Sequence, residues 1–468
     1  MERIASVILA AGKGTRMKSE MVKVLHPLLG VPMLSYTLTL SLKDIGAEKT
    51  IVVVGYQAER IQERFKGVPV GWALQREQLG TGHAVVQALP ILRDFEGTVL
   101  ILCGDVPLVK AGTLRSFINA FWEIEPVLSV LTAVVEEPYG YGRVLRNQEG
   151  WLERIVEEKD ASEEQRQIRE INTGIYCVKA SFLFEGLKEI DPENAQGEYY
   201  LTDLVEIARE KGLRCSAHMV ADALEVMGIN TRADLAVAHE VLWREKQRDL
   251  MLSGVTLLDP QTTYVDKAVE IGRDTVLYPN CMLRGTTRIG ERCVIESNTT
   301  ISDSIVGNEV TISSNSVITE SRIEEGATIG PFARLRPQSE IRKKAKIGNF
   351  VEVKKSIVGP GSKANHLSYI GDSVVGEGVN IGAGTITCNY DGYEKHQTVI
   401  GDQVFVGSNV ELVAPVKVGD RASIGAGTTV TRDVPEGALA VSRVKQKNID
   451  GWHEKIRAHH EKPKKGKK

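Results

Sequence analysis

Hydrophobic and polar positions follow two different rhythms along this chain, and the change falls near residue 251. Before it, short apolar runs at residues 6–10, 50–54 and 98–102 are separated by stretches with helical spacing. A strand buried on both faces reads as a continuous apolar run, and strands that alternate with helices predict an α/β domain with a mostly parallel sheet. After the change, aliphatic–glycine pairs recur, among them Ile271-Gly272, Ile289-Gly290, Ile329-Gly330, Ile347-Gly348, Val375-Gly376 and Ile381-Gly382. Gly272 and Gly290 stand 18 apart, as do Gly330 and Gly348, while Gly401 and Gly407 are six apart, as are Gly419 and Gly425. Six residues per face and three faces per turn predict a parallel β-helix, with aliphatic side chains stacked inward and glycine at corners where a Cβ would crowd. An amphipathic helix would need apolar spacings of three and four. Between Gly382 and Gly401 the spacing is 19 instead of 18, and the polar, glycine-rich segment 383–396 predicts a loop projecting from the prism.

Residues 231–252 contain Leu235, Val237, Val241, Leu242 and Leu250 with no Pro or Gly. They predict a helix that either bridges two domains or closes the first. The predicted organisation is therefore a nucleotide-type domain at 1–230, a helical linker at 231–250, a β-helix at 251–445 and a basic tail at 446–468.

Composition narrows the class. At 468 residues the chain exceeds what one hydrophobic core usually serves. With 42% hydrophobic and 25% charged residues it reads as a soluble globular protein, and no run approaches the roughly 18 apolar residues of a membrane span. The apolar stretch 4–11 leads into glycines and basic residues rather than a cleavage site, so a cytoplasmic protein without a secretory signal is expected. Six cysteines without a C-x-x-C pair favour reduced thiols. A net charge of -3 gives no general drive toward nucleic acid or stable membrane association. The closing E-K-P-K-K-G-K-K at 461–468 is expected to be a solvated end.

Two motifs follow predicted strands, where ligands of parallel sheets sit. The first runs Ala11, Gly12, Lys13, Gly14, Thr15, Arg16, with Lys23 shortly after. Its glycines allow backbone amides close to phosphate oxygens, and its cations offset a triphosphate's charge. Val7 and Met17 stand where a Walker loop and a dinucleotide fingerprint would each need glycine, and a basic surface turn is the plain alternative. The second is Gly104-Asp105-Val106-Pro107, whose carboxylate suits Mg²⁺ but is also a common turn residue.

With Q-L-G-T-G-H-A at 78–84, G-Y-G-R at 140–143, E-I-N-T-G at 170–174 and G-I-N at 228–230, these motifs resemble the sugar-1-phosphate nucleotidylyltransferases across residues 3–230. The likeness is greatest to the uridylyltransferase half of bifunctional bacterial uridylyltransferase–acetyltransferases. It implies UTP contacts at Leu9, Ala10, Ala11, Gly12, Lys23, Gln75, Gly80 and Thr81. It further implies N-acetylglucosamine 1-phosphate contacts at Gly140, Glu157, Asn172 and Asn230, and Mg²⁺ at Asp105 and Asn230. Arg16 and Lys23 are then the groups that neutralise charge as the sugar phosphate attacks the α-phosphorus of UTP.

In the second half, K-A-N-H-L-S-Y-I-G-D at 363–372 places His366 in a mixed polar and aromatic coil. A lone histidine is more often structural. The segment nevertheless resembles the acetyltransferase site of the same bifunctional family, which is built on a left-handed parallel β-helix. The resemblance implies His366 as general base, with Glu352 orienting it. Arg336, Lys354, Tyr369 and Asn380 match contacts to glucosamine 1-phosphate. Ala383, Asn389, Tyr390, Ser408, Ala426 and Arg443 match contacts near the acetyl group and to acetyl-CoA. It also implies a homotrimer, acetyl transfer without an acyl-enzyme, and UDP-N-acetylglucosamine as final product. A sugar-nucleotide enzyme whose β-helix only assembles it is the main rival reading, and a noncatalytic scaffold is the other.

Overall fold

A computed structural model describes residues 3–461. The chain separates into two compact units that divide between Lys246 and Gln247.

In the first unit the expected strands are Ile4–Ala10, Lys49–Val54 and Thr98–Cys103, parallel neighbours at the middle of a mixed sheet. The strand order is Cys215–Met219, Leu128–Val134, Glu170–Lys179, Thr98–Cys103, Ile4–Ala10, Lys49–Val54, Gly71–Leu74. Glu170–Lys179 runs antiparallel to both neighbours, and an antiparallel hairpin of Arg143–Arg146 and Leu152–Val156 pairs with it. Alternate residues of the central strands feed opposite cores. Val7, Ile51, Val53 and Ile101 pack on one face, and Ile8, Val52, Leu100 and Leu102 on the other. Each such side chain contributes about 1.5–3 kcal/mol when fully buried, which is why the runs are apolar at every position. The Ala11–Arg16 and Gly104–Asp105 loops leave the same end of this sheet, tied by the Gly104 amide to the Leu9 carbonyl at 2.9 Å.

Residues Arg232–Leu252 form one helix. Leu235, Ala238, Val241 and Leu242 pack with Leu28, Met33, Leu108 and Ile229, so most of this helix is part of the first unit instead of a free linker.

The second unit is a prism of three all-parallel sheets with 11, 10 and 9 strands. Successive coils place Val276 opposite Val294 and Val294 opposite Thr311, so a coil takes either the full repeat read from the glycines or one residue less. One coil is longer, because Asn380 faces Phe405 across the polar segment. The single extra residue between Gly382 and Gly401 compared glycines on different faces and so understated the insertion, which by register is several residues long and forms the projecting loop. Ile295, Ile312, Ile329, Ile347, Ala364, Ile381, Val406 and Ile424 form one inward stack. Gly382 stands where a Cβ would meet the Gly407 carbonyl carbon at 2.5 Å, so glycine is needed for coil-to-coil approach. The left-handed corner positions are separate and mostly carry other residues, such as Asn298, Asn315 and Phe332. Buried hydroxyls satisfy carbonyls at the bends: Ser339 Oγ donates toward Arg336 O at 2.7 Å and Val353 O at 3.0 Å.

Beyond the coils lies the exposed helix Trp452–His460. The lysine run at 462–468 lies outside the described residues. Among the described residues no helix is long and apolar enough to cross a membrane.

Candidate active sites

A cleft of about 300 Å³ in the first unit is lined by Leu9, Ala10, Ala11, Gly12, Lys23, Gln75, Gly80, Thr81 and Asp105, together with Gln78, Cys103 and Glu198. Gly14 shapes it twice. Its φ of 62° turns the loop, and its missing side chain leaves room for Lys23, whose Cβ would lie 2.7 Å from any Cβ there. Lys23 consequently reaches Asp105, with which it forms an ion pair, and Asn230 Oδ1 at 3.2 Å. Arg16 Nη2 donates to the same Asn230 oxygen at 2.9 Å. The Ile229 amide bonds to the Asp105 carbonyl at 2.9 Å and brings the two chain segments together.

Asp105 and Asn230 thus aim two hard oxygen donors at one cationic point, occupied here by a lysine nitrogen. Mg²⁺ takes one or two such protein ligands plus phosphate and water, so this donor pair fits that ion. Among the described residues no group of three or more His, Cys, Asp and Glu side chains could hold a metal ion by itself.

At the opposite end of the cleft, buried Gln75 donates Nε2–H to Gly80 O at 3.1 Å and stands 3.1 Å from His83 Nδ1. Thr81 Oγ1 accepts the Leu201 amide at 3.0 Å, which leaves its own proton to donate. Glu198 had no signal in the sequence beyond an ordinary loop position, whereas His83 falls inside the motif at 78–84.

The structure brings two of the sugar-site candidates together at a neighbouring glycine. Glu157 and Asn172 converge on Gly142, whose Cβ would lie 3.5 Å from Glu157 Cδ and 3.5 Å from Asn172 Cβ. Gly140, two residues earlier, instead gives its amide to Glu158 Oε2 at 3.1 Å. Glu157 and Glu158, just past the end of the strand Leu152–Val156, each engage a different glycine. Burial raises the Glu157 carboxyl above its usual range, against a lowering hydrogen bond from Thr202.

In the β-helix, register turns sequence spacing into columns. Asn349 pairs directly with His366. Two residues beyond the paired Ala364, Ile381, Val406 and Ile424 stand His366, Ala383, Ser408 and Ala426, so Asn349, His366, Ala383, Ser408 and Ala426 form one column along a prism edge. His366 Nδ1 lies 2.8 Å from Asn349 Oδ1. An amide oxygen only accepts, so Nδ1 carries the hydrogen and the Nε2 lone pair is left open. Arg443 Nη1 closes the far end of the column on Ala426 O at 3.0 Å.

The structure gives Glu352, the residue expected to orient His366, another partner. Glu352 lies around the corner, in register with Arg334 and Tyr369, and its carboxylate holds Arg336 at 2.9 Å. On that same face Lys354 lies 3.9 Å from Asp372. Nearby Lys395 pulls the Lys354 ammonium below its usual value, followed by burial, while Asp372 opposes them. Two adjacent cations with one buried carboxylate make an anion-seeking patch on the face that follows the His366 corner. Tyr369 folds over Gly371, where any Cβ would collide with the phenol oxygen. Asn380 stands on the neighbouring face, in register with Lys363 and Phe405. Asn389 Nδ2 donates to Asp372 at 2.5 Å, which ties the root of the inserted loop to this patch. Tyr390 is bridged to Lys395, and Asp391 accepts the Tyr393 and Glu394 amides at 2.8 and 2.7 Å.

Comparison with known proteins agrees with this division. A nucleotidyl transferase model matches residues 5–243, a bacterial transferase hexapeptide model matches 268–303 and 397–432, and a GMPPB C-terminal domain model matches 318–414. The prism is the left-handed β-helix of the hexapeptide transferases. A protein of Pelobacter propionicus named bifunctional protein GlmU is 53% identical across 97% of this chain and 98% of its own length. Its namesakes in Geotalea uraniireducens and Geobacter metallireducens are each 52% identical, covering 97% and 98% of this chain and 99% and 100% of theirs. With both halves matched in order and along nearly the whole length, the chain belongs to the bifunctional GlmU family.

Proposed function

We propose that the Asn349–His366–Ala383 column acetylates glucosamine 1-phosphate and that the Lys23–Asp105–Asn230 cleft then uridylylates the product, the two transfers by which this bifunctional family makes UDP-N-acetylglucosamine. In the first reaction Arg336, Lys354 and Tyr369 bind the amino-sugar phosphate. Its 2-amine attacks the thioester carbon of acetyl-CoA. His366 Nε2 takes the amine proton, because Asn349 holds the imidazole in the tautomer with a free lone pair there. The thiol of CoA leaves. The amide of Ala383 is the donor assigned to the developing oxyanion, since the neighbouring Gly384 amide is engaged by Leu367 O at 3.0 Å. The small residues Ala383, Ser408 and Ala426, closed by Arg443, give acetyl-CoA a track along the same edge, with Asn389 and Tyr390 beside the acetyl group and Asn380 on the adjoining face. The Cys388 thiol is pushed up by burial and by Glu411, which makes it a poor nucleophile and favours direct transfer.

In the second reaction Gln75, Gly80 and Thr81 meet the uracil, and residues 9–12 and Lys23 meet the phosphates. Glu157, Asn172 and Gly142 hold the sugar, with Gly140 and Asn230 beside them. The sugar phosphate oxygen is already an anionic nucleophile, so the cleft has to overcome repulsion rather than remove a proton. Arg16 and Lys23 neutralise charge as the oxygen attacks the α-phosphorus in line and pyrophosphate leaves. Mg²⁺, held by Asp105 and Asn230, supplies further neutralisation when bound.

The reading includes a cytoplasmic homotrimer assembled through the β-helix. Supporting it, Phe332, Phe350 and Leu367 occupy left-handed corner positions beside the His366 column and are 49%, 55% and 62% exposed. Elsewhere on that edge the corner carries Asn315, Gly384 and Asn409. Bulky apolar groups at strained, exposed corners suit a partner surface. Phe350→Asp should shift sedimentation toward monomer; an unchanged trimer refutes that use of the edge.

The observation that carries the mechanism is the His366–Asn349 bond at the head of the small-residue column. Releases of CoA thiol and pyrophosphate are followed separately. His366→Ala should lower acetyl transfer by about 10² or more and spare uridylyl transfer. Asp105→Asn should lower uridylyl turnover far more than sugar-phosphate affinity. Equal loss of both activities in either variant overturns the assignment.

A further inference from the structure

The buried pair Arg143–Glu158 is unused by either reaction as described. Arg143 lies in the hairpin strand Arg143–Arg146, opposite Val156. Its side chain is 2% exposed and that of Glu158 is 19% exposed. One Glu158 oxygen accepts both the Arg143 Nη2–H at 2.7 Å and the Gly140 amide at 3.1 Å. A second guanidinium nitrogen, Nη1, donates to the Tyr141 carbonyl. Burial pushes the Glu158 carboxyl up, but the hydrogen bonds from Arg143 and the Gly140 amide pull it below its usual range. The backbone of 140–141 is thereby held on both sides by one ion pair. Gly142 follows immediately, with its carbonyl taking the Asn172 amide at 2.9 Å and its Cα edge against Glu157. Neither Arg143 nor Glu158 is among the sugar-site candidates, so any effect on the sugar passes through the Gly140–Gly142 backbone.

We propose that the Arg143–Glu158 pair positions the Gly140–Gly142 segment and thereby sets the affinity of the uridylyl site for N-acetylglucosamine 1-phosphate. This rests on the reading of Glu157, Asn172 and Gly142 as the sugar site. A positioning clamp that acts equally in ground and transition states changes KM and leaves kcat nearly alone. A glutamine at 158 keeps an oxygen that accepts both hydrogen bonds but lacks the charge, whereas alanine releases both and leaves the buried guanidinium unpaired.

The experiment compares Glu158→Ala, Glu158→Gln and Glu157→Ala in steady-state uridylyl transfer with the full chain. Glu158→Ala should raise the KM for the sugar phosphate about tenfold, with kcat within about twofold and the KM for UTP unchanged. Glu158→Gln should recover most of that loss. If Glu157→Ala raises the sugar-phosphate KM and Glu158→Ala does not, the clamp is overturned and the sugar site stands. If neither variant raises it, the sugar-site reading fails and the clamp falls with it. A parallel rise in the UTP KM of Glu158→Ala marks general loosening of the domain and also overturns the proposal.

Discussion

Asp203 opens the helix Asp203–Glu210 beside Glu157, and its carboxyl is held far from its ordinary state. Burial raises its pKa from 3.8 to about 7, with further increases from Asp191, Glu206 and Glu157 and a small opposing effect of Arg154. An acid whose folded pKa is raised binds its proton more tightly in the folded state. Its contribution to stability is fully present below the unfolded value of 3.8 and is lost as pH rises through about 7. Roughly three units at about 1.4 kcal/mol each set a ceiling near 4 kcal/mol. Partial exposure and the helix N-terminus, which favours a negative charge by about 0.3–1 kcal/mol, reduce the expected penalty to about 1–3 kcal/mol. Asp203→Asn removes it. The variant should therefore be more stable than the parent by that amount at pH 8 and nearly equal to it at pH 4. Urea unfolding followed by tryptophan fluorescence reads the right unit, since Trp72, Trp122, Trp151 and Trp243 all precede the division at Lys246 and only Trp452 follows it. An Asp203→Asn protein that gains nothing at pH 8, or gains more at pH 4 than at pH 8, refutes the reasoning.

Two other perturbations address the acetyl site. Asn349→Ala should lower the kcat of acetyl transfer by about 10- to 100-fold with little change in the KM for acetyl-CoA, because it frees the His366 ring to adopt the unproductive tautomer; uridylyl transfer is the internal control. Gly371→Ala should displace the Tyr369 ring, whose oxygen occupies the space of the added Cβ, and raise the KM for glucosamine 1-phosphate with the thermal transition of the β-helix unit nearly unchanged; an unchanged KM would separate Tyr369 from the sugar.

The architecture was legible wherever one physical demand governed many positions. Strands buried on both faces have to be apolar throughout, so Ile4–Ala10, Lys49–Val54 and Thr98–Cys103 stood out. Coil stacking has to repeat, so the prism did too. The antiparallel strand Glu170–Lys179 was not legible, because direction leaves no mark on an apolar run. Site residues were legible through motifs, and less sharply where a motif offered two equivalent choices. Gly140 and Gly142 flank the same tyrosine in G-Y-G-R, and only the folded chain shows which glycine lies against Glu157. Asn349 was missed for a different reason. Its bond to His366 joins neighbouring coils, which is visible only once coils are counted in register and not in windows around the histidine.

That register also explains where function can be added to a repeating coil. The insertion between Cys388 and Thr398 lengthens one coil, yet Asn380 still pairs with Phe405 and Val374 with Val399. Both neighbouring faces therefore stay in step across it, and the column from His366 through Ala383 to Ser408 is uninterrupted. The loop closes on itself through the Tyr390–Lys395 bridge and the Asp391 turn, and it is fastened at its root by Asn389 to Asp372. A repeat buries its interior only by stacking, so an irregularity inside the prism would break the interior stack, whereas one extruded at a corner leaves it intact. The polar residues that chemistry needs accordingly appear at the corner and on the outward faces, while the inward positions on either side remain Ile381, Val406 and Ile424. The glycine-rich segment is thus polar because it is outside the stack.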